Sequence, residues 1–322
     1  MKILFLGNMN DVHAPKWGQY FIDKGHDVHK SHIDNTKGAL RLLFPFMFPS
    51  FKGFKYWVHH QYKPDVLHAH YGGAPALIGA LLEYHPFIVT VHGSEVLLNK
   101  GWRLKLTKWI LSKADLITTD TQRIIDIIQG WGIKSRVKLI RFGVDVGKFI
   151  PNSWKNPFRV VYRTGPHNLY DHETISKAIG HCHEATKGKF FQPVFDPVRE
   201  LPSENMPEFL SSSELYVSTA ISDAGLASTT AEAMACGLPV IVSDVADNRR
   251  WVGHACQLFQ PGNHVELAEK IAYFLSHPRH MARYGRDNRN KIVKFNNYHI
   301  EMGKMEKIYK QEALSYDKEE KQ

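Results

Sequence analysis

At 322 residues the chain exceeds the size at which one hydrophobic core stops growing, so two domains are expected. Hydrophobic residues make up 43%, enough for two cores, and no apolar run reaches the roughly 18 residues of a membrane-spanning helix. The formal net charge of +9 favours anionic partners: phosphorylated small molecules, lipid headgroups or nucleic acid. No nucleic-acid-binding motif accompanies the charge, so nucleic acid is not an expected partner.

The opening MKILFLGNMN reads as a first β-strand, because it lacks the apolar core and small-residue cleavage site of a signal peptide. A helix follows from about Pro15 to Lys24, with Trp17, Tyr20 and Phe21 on one face and Gly25 as its stop. Strands are expected at His26–Ser31, Asp65–His70, Phe87–Val91, Leu116–Thr119 and Val137–Ile140. Helices at Gly72–Tyr84, Trp102–Ser112 and Thr121–Gln129 separate the later ones. This alternation predicts a parallel sheet covered on both faces. Arg141–Pro157 reads as a linker, and a second α/β series follows. Its strands are Phe158–Tyr162, Leu215–Thr219 and Pro239–Ser243, and its helices Glu173–His181, Thr229–Ala235 and Val265–Ser276. Asn263 or His264 is the expected cap of the last of these, and a long helix closes the chain at about Asn297–Glu312. The expected division is therefore residues 1–150, residues 151–295, and a terminal helix at 296–322 packing back on the first domain.

The cysteines, Cys182, Cys236 and Cys256, are odd in number and widely spaced, which argues against disulfides and for a reducing cytoplasm. There are nineteen histidines, but the close pairs His59–His60 and His181–His183 lack the helical spacing of zinc ligands. No metal site is expected.

In doubly wound sheets, ligands sit at the carboxyl ends of the strands, where helix N-termini point at them. Two such domains facing each other would leave a cleft between them as the default site. The strongest signal lies after such a strand, in Asp223-Ala-Gly-Leu-Ala-Ser-Thr-Thr-Ala-Glu232-Ala-Met-Ala-Cys-Gly237-Leu-Pro239. Gly225 allows close approach of a ligand, and Leu226 follows it in the loop. Ser228, Thr229 and Thr230 open a helix whose free N–H groups suit a phosphate. Glu232 is expected in the first turn, where a carboxylate can accept bonds from both ribose hydroxyls. The plain structural alternative is a capping box, with Ser or Thr as cap and Glu232 as its partner.

The block Glu232–Ile241 resembles the nucleotide-binding helix of the group-1, GT-B-type retaining glycosyltransferases. Gly25-His26-Asp27-Val28, Asp65–His70, Thr90-Val-His92-Gly93-Ser94-Glu95 and Gly143-Val144-Asp145 with Phe149 resemble further motifs of that family, in its order and over most of the chain. The resemblance implies two facing Rossmann-like domains, a nucleoside diphosphate sugar as donor (UDP- or GDP-linked), and a glycan or lipid-linked acceptor. It also implies transfer with retention and neither metal nor bound cofactor. By that likeness Glu232 holds the ribose and Arg163 clamps the diphosphate. Gly7 lets ligands approach the first strand, and His92 lies near the reacting sugar. His13 and Glu95 are secondary candidates.

Three departures bear on these assignments. Asp223 stands one position before the usual first glutamate, which would fall at Ala224. Tyr170 occupies roughly the slot of a diphosphate-binding lysine, so Arg249 or Arg250 is the expected substitute for that charge. The stretch Gly180–Pro207 is short, as if one β–α unit were lost or reduced. These departures motivate a second reading, a catalytically degenerate sugar-nucleotide or glycan-binding module. A third, an epimerase or glycoside phosphorylase on the same fold, has no distinguishing motif. The aromatic and basic segment Ala39–His60 suggests either core packing or peripheral contact with an anionic membrane on the cytoplasmic face.

Overall fold

The computed structural model describes residues 1–11, 13–33, 48–153, 155–165, 169–187, 192–198 and 201–319. Part of the segment Ala39–His60, residues 39–47, therefore lies outside the described residues. The chain forms two compact units: Met1–Phe142 with Ile300–Gln322, and Gly143–His299.

The first unit runs β1 (Lys2–Gly7), α1 (His13–Asp23), β2 (Asp27–His32), then α2 (Phe48–Tyr56) with a π-helical turn at Trp57–Tyr62. It continues β3 (Val66–His70), α3 (Ala74–Leu82), β4 (Phe87–Val91), α4 (Ser94–Leu97), α5 (Gly101–Leu111), β5 (Leu116–Thr119), α6 (Gln122–Gly130) and β6 (Arg136–Leu139). The strands form a parallel sheet in the order β2-β1-β3-β4-β5-β6. Every residue of β3, β4 and β5 is buried, as expected for parallel strands covered on both faces. The edge strand β2 is Asp-Val-His-Lys-Ser-His, a polar sequence whose residues are exposed or half-buried.

The second unit contains β7 (Arg159–Arg163), α7 (His172–Thr186), β8 (Val194–Val198), α8 (Met206–Ser211), β9 (Leu215–Ser218), α9 (Ser228–Ala235) and β10 (Val240–Ser243). After these come α10 (Asn248–Trp251), a 3-10 turn at Ala255–Gln257, β11 (Leu258–Phe259), α11 (His264–Ser276) and α12 (Pro278–Phe295). Its parallel sheet is ordered β11-β10-β9-β7-β8. Side-chain caps start two of its helices: Asp171 accepts from Thr174 N at 2.9 Å, and Asn263 from Glu266 N at 3.1 Å. The stretch expected to have lost or reduced one β–α unit holds β8 and leads into α8.

The largest element the sequence did not suggest is α12. Its buried residues are Met281, Gly285, Asn288 and Ile292, and two of these four are not apolar. Gly285 is needed because a Cβ there would lie 2.1 Å from the Gly237 carbonyl oxygen, so backbone meets backbone. Beside it, Asn288 Nδ2 donates to Leu238 O and Gln257 Oε1, both at 2.9 Å. The linker also needs a glycine. Gly143 has φ +75°, and a Cβ would come within 2.5 Å of Tyr298 Cα.

The last helix, α13 (Tyr298–Glu319), runs into the first unit. Met302, Met305, Ile308 and Tyr309 are buried there at helical spacing, and the Tyr309 ring packs on Phe21 at 4.7 Å. Among the described residues, no helix is long and apolar enough to cross a membrane.

Candidate active-site residues in the two units

In the first unit, β1, β3 and β4 are neighbours in the sheet, so their carboxyl ends meet. Gly7 closes β1, His70 closes β3 and His92 follows β4. A Cβ on Gly7 would lie 3.0 Å from that of Ala14 and 3.3 Å from that of His70, so the glycine sets the close packing there. His70 and His92 share a hydrogen bond between Nδ1 and Nε2 at 3.2 Å. The structure thus brings Gly7 and His92 together through a residue the sequence reading did not single out.

His70 belongs to a cluster of imidazoles. His13 stacks on Phe142 at 4.3 Å and lies edge-on to His92 at 5.6 Å. His68 bonds Thr90 Oγ1 through Nε2 at 2.7 Å and the Tyr309 hydroxyl through Nδ1. Burial holds His13 and His68 down at about 3, and depresses His70 well below the ordinary value. Burial lowers His92 too, while Glu95 and Asp11 pull it the other way. At neutral pH these rings are neutral, so each presents one donor and one acceptor nitrogen. The Nε2 atom of His70 is buried and has no hydrogen-bond partner among the described residues.

Glu95, 1% exposed, fixes the loop that carries His92. Its Oε1 accepts from Gly72 N at 2.8 Å and His92 N at 3.0 Å, and its Oε2 from Gly93 N at 2.9 Å. One carboxylate therefore ties the loop after β3 to the loop after β4. Gly93, with φ +112°, makes the turn that lets the chain fold around it.

In the second unit, α9 begins without a side-chain cap: Ala227 is the N-cap, and Ser228, Thr229 and Thr230 are the first three helical residues. Glu232 lies in the second turn, one turn beyond Ser228, and not in the first. That placement removes the capping-box alternative, which needs the glutamate three residues after the cap. It leaves helix N–H groups at the start of α9 without a side-chain acceptor from the cap position. Gly225 and Leu226 lie in the loop before it, with Leu226 packed on the domain core. Asp223 turns back on this loop, accepting from Ala224 N at 2.7 Å, and burial raises its carboxyl above the usual range.

Arg163 ends β7 and its guanidinium sits 5.8 Å from the centre of the Tyr170 ring. Arg163 Nε is buried without a hydrogen-bond partner among the described residues. Tyr170 is held in place by a bridge to Ala220 and by packing on Gly165, where a Cβ would strike its ring at 2.7 Å. This sews the loop after β7 to the loop after β9. Tyr216 is fully buried in β9. Burial raises its phenol far above the ordinary value, Thr230 Oγ1 contacts it at 3.4 Å, and Tyr170, Arg163 and Glu232 all act on it electrostatically. Its place inside a buried strand gave the sequence no signal of this. Arg249 stands apart, exposed on α10 and paired in two-pronged fashion with Asp244. The charge expected from it is already partnered.

Residues 10–148 match Glycosyltransferase Family 4, and residues 197–291 match Glycosyl transferases group 1. The chain belongs to the group-1 glycosyltransferases. This glycosyltransferase is similar in fold to a sucrose-phosphate synthase from Thermosynechococcus elongatus, with TM-score 0.76 at 16% identity over 97% of this chain and 98% of that one. It is also similar to Anabaena HepE in complex with UDP-glucose (TM-score 0.72, 14% identity, 97% and 100% covered). A glycosyltransferase from Rickettsia africae is a third such structure (TM-score 0.73, 15% identity, 96% and 97% covered). The two parallel α/β units of this glycosyltransferase are those of the GT-B fold. No curated protein matches its sequence.

Proposed function

We propose that this glycosyltransferase moves a hexose from a UDP- or GDP-sugar to a glycan or lipid-linked acceptor, with retention and without a metal. The observation that carries the reading is the start of α9: a helix N-terminus whose cap residue, Ala227, supplies no side-chain acceptor, hydroxyls on Ser228 and Thr229, and Glu232 one turn on. Helix N–H groups stabilise a diphosphate, and the Glu232 carboxylate suits the paired hydroxyls of a ribose. The complexes of Anabaena HepE with UDP and with UDP-glucose support a nucleotide-sugar donor of this kind.

In this reading the second unit holds the donor and the first unit serves the acceptor. The bond from sugar C1 to the diphosphate oxygen breaks, and negative charge grows on the leaving group. Arg163, steadied by the Tyr170 ring, and the α9 amides hold that charge. Tyr170 supplies no cation of its own; it positions one. The new bond forms to the acceptor oxygen on the same face, and the acceptor's proton passes to the departing phosphate. Asp223, with the backbone at Gly225 and Leu226, lines the sugar end. His92, neutral and backed by His70, offers a hydrogen bond to a sugar hydroxyl. The three cysteines, free in the structure, fit a cytoplasmic setting.

One observation favours the alternative of donor binding without turnover: Arg249 is paired with Asp244, which leaves the diphosphate side lightly charged. Nucleoside diphosphate release from a panel of UDP- and GDP-sugars, with and without acceptors, separates the readings. Release with an α-linked product from an α-linked donor supports retaining transfer. Binding with no release from any donor supports the alternative, and absence of any nucleotide binding sinks both. Glu232→Ala should weaken nucleotide binding in either case. His92→Ala should lower turnover more than donor affinity only if transfer occurs.

A further inference from the structure

The segment from Leu98 to Lys113, Leu-Asn-Lys-Gly-Trp-Arg-Leu-Lys-Leu-Thr-Lys-Trp-Ile-Leu-Ser-Lys, carries five basic residues and no acidic one. Most of it is α5. Thr107, Ile110 and Leu111 form the buried face of that helix. Its largest apolar side chains point the other way: Trp102 is 57% exposed and Trp109 41%, with Leu98 just before the helix at 59%. Seven residues apart, the two tryptophans lie within roughly 20° of each other around the helix, and exposed Lys105 sits on the same side. Arg103 approaches the Trp102 ring at 5.6 Å and Lys113 the Trp109 ring at 5.7 Å. These cations partly shield the rings in water.

We propose that α5, with Leu98 and Lys100, is a peripheral docking face for an anionic lipid bilayer. Indoles favour the headgroup level, where the ring is half apolar and its N–H finds a partner. Charge of one sign around them matches lipid phosphates, and a helix lying flat can present both at once. A site for a neutral protein partner would not need five cations and would exclude unpaired ones from its centre. This segment is separate in sequence from Ala39–His60, and the proposal stands independently of the sugar-transfer reading.

The test is co-sedimentation of the full chain with phosphatidylcholine vesicles, with and without about a third phosphatidylglycerol, at low salt. The expected result is binding to the anionic vesicles only, reduced by salt, with a blue shift of tryptophan emission. Each basic residue near the surface contributes about fivefold in partitioning, so Lys100→Gln/Arg103→Gln/Lys105→Gln should bind roughly a hundredfold more weakly. Trp102→Ala/Trp109→Ala should also lose binding. Trp102→Phe/Trp109→Phe should keep binding but lose the blue shift, which locates the contact even if another variant folds poorly. No sedimentation of the wild type, equal binding to neutral vesicles, or a triple variant within threefold of wild type overturns the proposal. So does a blue shift that survives in the double-phenylalanine variant, or binding to DNA or heparin without binding to vesicles.

Discussion

Replacing Glu95 by alanine would strip three backbone amides of their acceptor at once: Gly72 N, His92 N and Gly93 N. A buried N–H left unsatisfied costs about 1–3 kcal/mol, and a water entering the vacated space recovers part of it, so the sum is roughly 3–6 kcal/mol. Glu95→Gln keeps one oxygen for two of the amides but turns its NH2 toward the third, donor against donor. Its expected cost is about 1.5–3 kcal/mol. Equilibrium urea unfolding should therefore rank wild type above Gln and Gln above Ala. Amide exchange should quicken at Gly72, His92 and Gly93 before it does in the strands. Because His92 rides on this loop, turnover should fall further than donor affinity in both variants, which marks Glu95 as a positioning residue. An alanine variant within about 1 kcal/mol of wild type, with the three amides still protected, would refute the reasoning.

Gly285→Ala places a methyl group 2.1 Å from the Gly237 carbonyl and should cost about 3 kcal/mol or more, read as a lowered urea midpoint; an unchanged midpoint would mean that α12 does not rest on that turn. Tyr309→Phe removes the hydroxyl that meets His68 Nδ1 and should destabilise the first unit by about 1–3 kcal/mol, with a shift of the His68 ring resonances in NMR spectra. Stability should also fall with acid. His13, His68 and His70 are depressed in the folded chain, so the unfolded chain takes up protons first as pH drops through about 6.5. Each contributes stability that is full above that pH and declines below it by about 1.4 kcal/mol per pH unit. His85, raised by its hydrogen bond to Asp115, acts in the opposite sense as a single group. A urea midpoint that stays flat between pH 7 and pH 5 would contradict the burial of the cluster.

The buried strands were legible because a parallel core writes itself as short apolar runs: Phe87–Val91 and Val240–Ser243 are buried throughout, and Lys2–Gly7 is buried after its exposed first residue. Helix α12 was not, because two of its four buried residues are Gly285 and Asn288, chosen for backbone contact and hydrogen bonding. Strand β8, Val-Phe-Asp-Pro-Val, hid for a similar reason: an edge position tolerates Asp196 and Pro197, which argue against a strand when read locally. In the candidate site, spacing along one segment carried part of the way: Ser228 opens α9 as expected, while Glu232 falls one turn later than its expected place. Relations between segments did not show. Nothing local announces that Glu95 gathers amides from two loops, that the buried Tyr216 hydroxyl meets Thr230 of α9, or that Arg249 is taken by Asp244.

The bond between His68 and Tyr309 joins residues 241 positions apart, and it closes a unit whose last piece is α13. Synthesis at about 5–20 residues per second separates the two partners by roughly 10–50 s. When His299 has been added, near the end of that interval, the second unit has all of its sequence, while the first still lacks Met302, Met305, Ile308 and Tyr309. The later-numbered unit is thus the first able to finish. The first unit keeps an open apolar seam until α13 leaves the ribosome.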